Sequence, residues 1–324
     1  MNNYNQLIKY FEQELDKQNF SGQPAELYEP ITYTLGFGGK RIRPVLTLMA
    51  CELFSGVAAT AIPQAIAIEL FHNFTLIHDD IMDNAPIRRG KKTVYKKWNS
   101  NIAILSGDTL FALAYQFAQQ ADKEIVHNIL GVFNQTAIEV CEGQQFDLNY
   151  ETNNQVSVDD YINMIRLKTG VLFGASLKIG ALIGGASVTE ANNLYHFGVN
   201  IGLGFQLKDD LLDTFGDEKI FGKKTGGDII TNKKTFLYLK AIECSNQETR
   251  DELMALYNSN DYDQKEKIKR VKDIFGQLNI DFLTSEEIEK YYIKGMDYLN
   301  LINIDEDNKE ILKDIASKMI LRDK

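Results

Sequence analysis

The stretch "IAIELFHNFTLIHDDIMD", Ile66–Asp83, decides the fold class. Ile66, Leu70, Phe74, Ile77 and Ile81 recur at steps of four and three, which lays one apolar stripe along an α-helix. Leu203, Leu207 and Leu211 do the same inside "GLGFQLKDDLLD", Gly202–Asp213. Strand-like alternation is hard to find anywhere, so the chain is predicted to be all-α, a single-domain bundle of ten or more helices over 1–324. Breaks are expected at "SGQP" (Ser21–Pro24), "GFGGKRIRP" (Gly36–Pro44), "NAPIRRGKK" (Asn84–Lys92), "ETNNQVS" (Glu151–Ser157) and "FGKKTGGD" (Phe221–Asp228).

Composition excludes several classes. The 324 residues are enough to bury a large core, and five prolines with no Pro- or Ser-rich linker argue against two tethered domains. The net charge of −10, from 35 basic and 45 acidic residues, leaves no domain-sized basic patch, so no nucleic-acid partner is expected. Cys51, Cys141 and Cys244 are far apart and form no CxxC pair, which supports neither a disulfide framework nor a zinc site. "MNNYNQLIKYFEQELDKQ" carries no apolar leader, and no long apolar run suits a membrane span. A cytoplasmic protein is expected.

The two stripes share a second feature, the spacing DDxxD. Residues i and i+4 of a helix lie one turn apart, so Asp79 and Asp83 share a face with Asp80 beside it, and Asp209, Asp213 and Asp210 repeat the arrangement. Three like charges within a turn repel, and solvent alone offsets that for a single cluster on an open face. Two clusters, each beside an apolar stripe and each followed by cations, point instead to a hard cation with oxygen ligands. Mg²⁺ suits carboxylates, keeps several waters and is usually shared with substrate phosphates. Neither cluster has the D-x-D-x-D-G pattern of a calcium loop, and zinc would want more than the lone His78. "GFGGKR" and "GDEKIFGKK" both miss the GxxxxGK[ST] spacing of a nucleotide loop.

The nearby cations suit anionic oxygens, Arg as a bidentate fork and Lys as a point charge. "GGKRIRP" offers Lys40, Arg41 and Arg43; Arg88 and Arg89 follow the first cluster; Lys223, Lys224, Lys233 and Lys234 follow the second. Asn84–Ile87 is expected to keep the first carboxylates and guanidiniums apart. Taken together, the pattern suggests two phosphate-bearing substrates, one held on metal and one on bare cations.

From about Gly36 to the C-terminus the chain resembles the trans-isoprenyl diphosphate synthases, the polyprenyl synthetase family. The matching segments are "GGKRIRP", "HNFTLIHDDIMD", "RRG", "GDTL", "GQQFDL", "KTG", "GFQLKDDLLD", "GKKTGGDI" and "NKKT", in the family's order. The resemblance implies an isoprenoid synthase class I bundle around a central cavity, a homodimer, and a Mg²⁺-dependent 1′–4 head-to-tail condensation. Its substrates would be isopentenyl diphosphate and an allylic diphosphate (dimethylallyl, geranyl or farnesyl). The aspartate motifs would face each other across the cavity, with Asp79, Asp80, Asp83, Asp209, Asp210 and Asp213 holding three Mg²⁺, whose charge balances the six carboxylates. It also implies that Gly39, Lys40, Arg43, His72 and Arg89 bind isopentenyl diphosphate and that Arg88, Lys223 and Lys233 contact the allylic diphosphate. Lys168, Thr169 and Gln206 would lie beside the allylic carbon, where their dipoles stabilise developing positive charge. Gln144 and Asp147 of "GQQFD" are typical of the family but are assigned no role.

The family's length rule looks at the fourth and fifth positions before the first aspartate, Thr75 and Phe74. An aromatic there with no insertion in "DDIMD" resembles short-chain synthases, which implies a C15–C20 product, leaning to geranylgeranyl diphosphate. Two alternatives remain open: a class I terpene cyclase, which would normally lack "GGKRIRP" and carry a different second metal motif, and a non-catalytic accessory subunit, which would tend to lose the aspartates.

Overall fold

The computed structural model describes residues 3–153, 155–216, 225–258 and 263–320. In chain order its main helices are α1 (Tyr4–Asp16), α2 (Ala25–Leu35), α3 (Ile42–Ser55), α4 (Ile62–Met82), α5 (Val94–Lys97), α6 (Ser100–Ala118), α7 (Val126–Thr152), α8 (Val158–Ile165), α9 (Val171–Ile183) and α10 (Val188–Phe215). Shorter and longer helices follow over Gly227–Ile230, Phe236–Cys244, Gln247–Asn258, Gln264–Gln277, Ile280–Asn300 and Glu306–Ile320. The all-α expectation therefore holds. The one departure among the described residues is a two-stranded antiparallel hairpin, Ile87–Arg88 on Lys91–Lys92, at the expected break after α4. No described helix is long and apolar enough to cross a membrane.

The chain divides into two compact units. The first comprises Met1–Gln135, Ala175–Tyr195 and Asn303–Asn308. Helix α4 runs through its interior: Ala65, Ile66, Ala67, Ile68, Leu70 and Phe71 are all buried, which covers every side of two turns. The stripe read from the sequence is thus only part of the buried surface, because periodicity locates one face and misses a helix enclosed by neighbours. Each fully buried aliphatic or aromatic side chain here contributes about 1.5–3 kcal/mol. Sequence-local caps define the helix starts: Asn3 and Gln6 form a capping box on α1, and Asn99 accepts from Ile102 N at 2.9 Å on α6.

The second unit comprises Thr136–Gly174, His196–Ile302 and Lys309–Lys324. Leu203, Leu207 and Leu211 are buried, as their spacing requires. Ser157 and Asp160 form the capping box that starts α8, placing the break in "ETNNQVS" where the polar run predicts it. Between α8 and α9 the backbone widens into a π-turn, Arg166–Gly170. This turn presses against α7: a Cβ on Gly143 would lie 2.4 Å from Lys168 N, so only glycine admits the contact. Single π-turns concentrate at functional sites, and this one carries Lys168 and Thr169.

Candidate active site

Each unit presents one aspartate motif with its own cations. In the first unit Asp79 and Asp80 lie in the last turn of α4, and Asp83 is its C-cap, exposed, with its N–H on Asp79 O at 2.8 Å. Asn84 (φ +52°), Arg89 (φ +51°) and Gly90 (φ +75°) turn the chain back on itself. Arg88 returns to the helix end, and its Nε donates to Asp80 Oδ1 at 2.7 Å. This corrects the expected separation of carboxylates from guanidiniums, since the left-handed turn brings together residues that a straight count keeps apart. Asp80 is only 3% exposed. Burial pushes its carboxyl up, and Arg88 opposes that push without overcoming it.

The Gly36–Arg41 loop packs beside this turn. Gly38 (φ +68°) and Gly39 (φ +142°) adopt conformations suited to glycine, and a Cβ on Gly39 would lie 2.6 Å from Arg89 Nη1. The Arg89 guanidinium fills that space and donates to Gly38 O. Arg41, grouped by sequence with Lys40 and Arg43, is buried instead. It pairs with Glu69 of α4 and donates to Leu35 O at 3.0 Å, while Asn73 Nδ2 donates to the same Glu69 carboxylate at 3.1 Å. Its role is to bolt the loop to α4. Lys40 is exposed, its carbonyl accepting from Tyr4 OH at 2.7 Å. Arg43 Nη1 lies 3.4 Å from His72 Nε2. Burial, then Arg43, Arg89, Arg88 and Arg41 in turn, drive the His72 imidazole well below its ordinary pKa, so it is neutral. Gly39, Arg43, His72 and Arg89 are therefore neighbours, as the motifs imply.

Phe74 stacks on Phe111 of α6, ring centroids 5.0 Å apart, and contacts Phe71 and His78. The Thr75 hydroxyl donates to His72 O at 2.8 Å, turned back onto its own helix. Phe74 is half-buried, and so is not a sealed core residue.

In the second unit Asp209, Asp210 and Asp213 lie on α10. Asp210 is 4% exposed, and its direct hydrogen bonds come from neutral groups: Tyr161 OH donates to Oδ2, and Gln206 Nε2 donates to Oδ1 at 3.1 Å. Thr169 Oγ1 donates to Gln206 Oε1 at 3.1 Å, so Thr169, Gln206 and Asp210 form one hydrogen-bonded line. Burial first, then Asp228, pushes Asp210 up to about 7, and burial pushes Asp228 up to about 6. Asp213 Oδ2 accepts from Asp228 N at 2.9 Å. Lys168 Nζ donates to Asp147 Oδ2 at 2.5 Å, and Lys233 Nζ lies 3.9 Å from the same oxygen. Burial works to raise the Asp147 carboxyl, but Lys233 and Lys168 override it and hold it low.

Lys234 is occupied elsewhere. Its Nζ donates to the carbonyls of Tyr150 (3.0 Å), Glu151 (3.2 Å) and Asn153 (2.6 Å) and so caps the C-terminus of α7. Lys223 and Lys224 lie outside the described residues. Three residues at this cluster were not among the sequence candidates. Asp147 was visible in "GQQFD" without a role, and Asp228 lay in an expected break. Tyr161, alone on α8, carried no local signal.

The donor set of both motifs is entirely oxygen, which suits a hard divalent cation. Among the described residues no three His, Cys, Asp or Glu converge into a ready-made metal cage. An ion held by these carboxylates would need further oxygen ligands from water and a bound phosphate, the habit of Mg²⁺.

The family profile described as polyprenyl synthetase matches residues 24–275. A geranylgeranyl diphosphate synthase of Methanosarcina mazei is 36% identical over 303 residues, covering 93% of this chain and 91% of that protein. The crystal structure of a geranylgeranyl pyrophosphate synthase superposes with a TM-score of 0.95 at 45% identity, covering 99% of both chains. A Caulobacter crescentus polyprenyl synthase, solved with calcium and isoprenyl diphosphate, superposes with a TM-score of 0.86 at 26% identity over 99% of this chain and 98% of that one.

Proposed function

Because the chain belongs to the polyprenyl synthetase family, we propose that it is a prenyltransferase that joins isopentenyl diphosphate to an allylic diphosphate. The observation that carries this is the pairing, in each unit, of a DDxxD helix face with its own cations and a hydrogen-bonded support. Asp79, Asp80 and Asp83, with Asp209, Asp210 and Asp213, are the metal ligands. These carboxylates would hold magnesium, three ions with substrate bound, which would neutralise charge on the departing diphosphate. A Caulobacter polyprenyl synthase solved with calcium and isoprenyl diphosphate supports a divalent cation as the cofactor.

The chain's own residues supply the rest. Gly39, Lys40, Arg43, His72 and Arg89 seat isopentenyl diphosphate. His72, kept neutral by burial and by its arginines, offers hydrogen bonds without adding to their mutual repulsion. Arg88, Lys223 and Lys233 hold the allylic diphosphate. As the allylic C–O bond breaks, the Thr169 hydroxyl and Gln206 amide present dipoles to the carbon that becomes positive, anchored through Asp210. Asp147 fixes the Lys168 ammonium for the same step. The isopentenyl double bond then forms the new C–C bond, and the released diphosphate takes the proton that leaves. Fixed placement of both substrates supplies the entropic share of the rate gain.

Phe74, braced by Phe111, limits the growing tail with Thr75 beside it, and the product is C15–C20, leaning to geranylgeranyl diphosphate. Both units serve one catalytic domain, and the enzyme works as a cytoplasmic homodimer. Purified protein incubated with Mg²⁺, isopentenyl diphosphate and each allylic primer is expected to release an all-trans prenyl diphosphate of that length. Release of a hydrocarbon would mean a cyclase, and inactivity without a partner an accessory subunit. Phe74→Ala is expected to lengthen the product, and an unchanged chain length would remove Phe74 from this role.

A further inference from the structure

Lys267 lies in the helix Gln264–Gln277 of the second unit, outside every motif above, and is only 5% exposed. Lysine is seldom buried so fully unless its ammonium has a partner that offsets the lost hydration. Here the ammonium donates to the side-chain carbonyl of Asn232 and sits 5.5 Å from the centroid of the Tyr257 ring. The ring face adds a cation–π contact, but the hydrogen bond to Asn232 is the directional partner of the ammonium.

Asn232 immediately precedes Lys233, and its backbone is left-handed, φ +60°. That conformation ends the short helix Gly227–Ile230 and lets Lys233 N donate to Asp228 O at 2.8 Å. The start of the same turn is gripped too: a Cβ on Gly226 (φ +88°) would lie 2.9 Å from Ile268 Cδ1. Adjacent residues of one helix, Lys267 and Ile268, therefore hold both ends of the segment that leads into Lys233. Beyond it, Lys234 is fixed on the carbonyls that end α7. The Lys233 ammonium is left beside Asp147, 3.9 Å from Oδ2.

We propose that Lys267 is a positioning residue for the diphosphate of the allylic substrate, setting through Asn232 the turn that aims Lys233. This rests on Lys233 contacting that diphosphate, the role given to it above. A lysine kept only to fill space would be replaceable by methionine with no change in substrate affinity.

The test is steady-state kinetics of the full chain with Mg²⁺, geranyl diphosphate and isopentenyl diphosphate, at a temperature well below the melting point of every variant. Lys267→Met is expected to raise the KM for geranyl diphosphate about tenfold, with kcat and the isopentenyl KM within about twofold of the parent. Asn232→Gly keeps the left-handed backbone but loses the amide, and is expected to give the same rise. The double variant is expected to add nothing further, since both changes remove one contact. Lys267→Arg is expected to recover most of the affinity. An unchanged geranyl KM in both Lys267→Met and Asn232→Gly overturns the inference, and Asn232→Gly decides alone if Lys267→Met does not fold. Lys233→Ala separates the two layers. If it raises the geranyl KM while the other variants do not, only the positioning role falls; if it leaves the KM unchanged, the assignment of Lys233 falls and the inference with it.

Discussion

The two aspartate helices carry the same five-residue spacing and solve its electrostatics in opposite ways. On α4 the buried Asp80 is matched by a guanidinium, Arg88, and the adjoining loop is bolted down by the buried Arg41–Glu69 pair. On α10 the buried Asp210 is matched by a phenol and an amide, with Asp228 as a like charge nearby. Asp80 is therefore hydrogen-bonded by a full charge, and Asp210 by neutral dipoles with the Lys233 charge farther off. A motif specifies which groups are present, while the low dielectric around each decides how they are kept.

The largest effect tests what the clusters share. Asp79→Ala and Asp209→Ala are each expected to cut kcat by orders of magnitude, each tenfold loss corresponding to about 1.4 kcal/mol of transition-state stabilisation. Near-normal turnover in either would break the symmetry of the two motifs. The next test sharpens their difference. Arg41→Ala strands a buried Glu69 and is expected to destabilise the fold by about 3–5 kcal/mol in denaturant unfolding. Tyr161→Phe removes one neutral donor from Asp210 and is expected to cost about 1–3 kcal/mol. Equal losses would mean that charge and dipole support are interchangeable here.

The last test is in pH. The Asp210–Asp228 pair has folded pKa values raised to between about 6 and about 7, above the unfolded carboxylate range. Between pH 4 and 7 the folded state thus holds more protons than the unfolded one, so metal-free stability falls as pH rises through that window. His72 acts with the opposite sign. Its folded pKa is depressed, so the unfolded state takes up the proton first, and stability falls as pH drops below about 6.5. Melting temperatures of the metal-free protein between pH 4 and 7 should therefore fall less steeply with rising pH in Asp210→Asn, and more steeply in His72→Gln. A slope unchanged by its own substitution belongs to another group.

Much of this was legible beforehand in residues whose partners are close in sequence. Ser157 and Asp160 started α8 where the polar run predicted, and the leucines at 203, 207 and 211 were buried as spaced. Reading fell short where a side chain's partner lies far along the chain. Arg41 looked like Lys40 and Arg43, yet it is spent on Glu69, 28 residues away. Lys234 looked like Lys233, yet it caps a helix that ended some 80 residues earlier. Tyr161 meets Asp210 across 49 positions and had no pattern to mark it.

The sequence by itself determined the helical architecture, the two carboxylate faces and the family, because each rests on local periodicity or on short ordered motifs. Only the tertiary structure decided that Arg41 and Lys234 are bound within the fold, that Arg88 closes back onto Asp80, and that the buried Lys267 bonds Asn232, the neighbour of Lys233. The physical reason is the same in each case. Desolvation and pairing depend on what packs around a group, and packing brings together residues whose separation along the chain carries no signal.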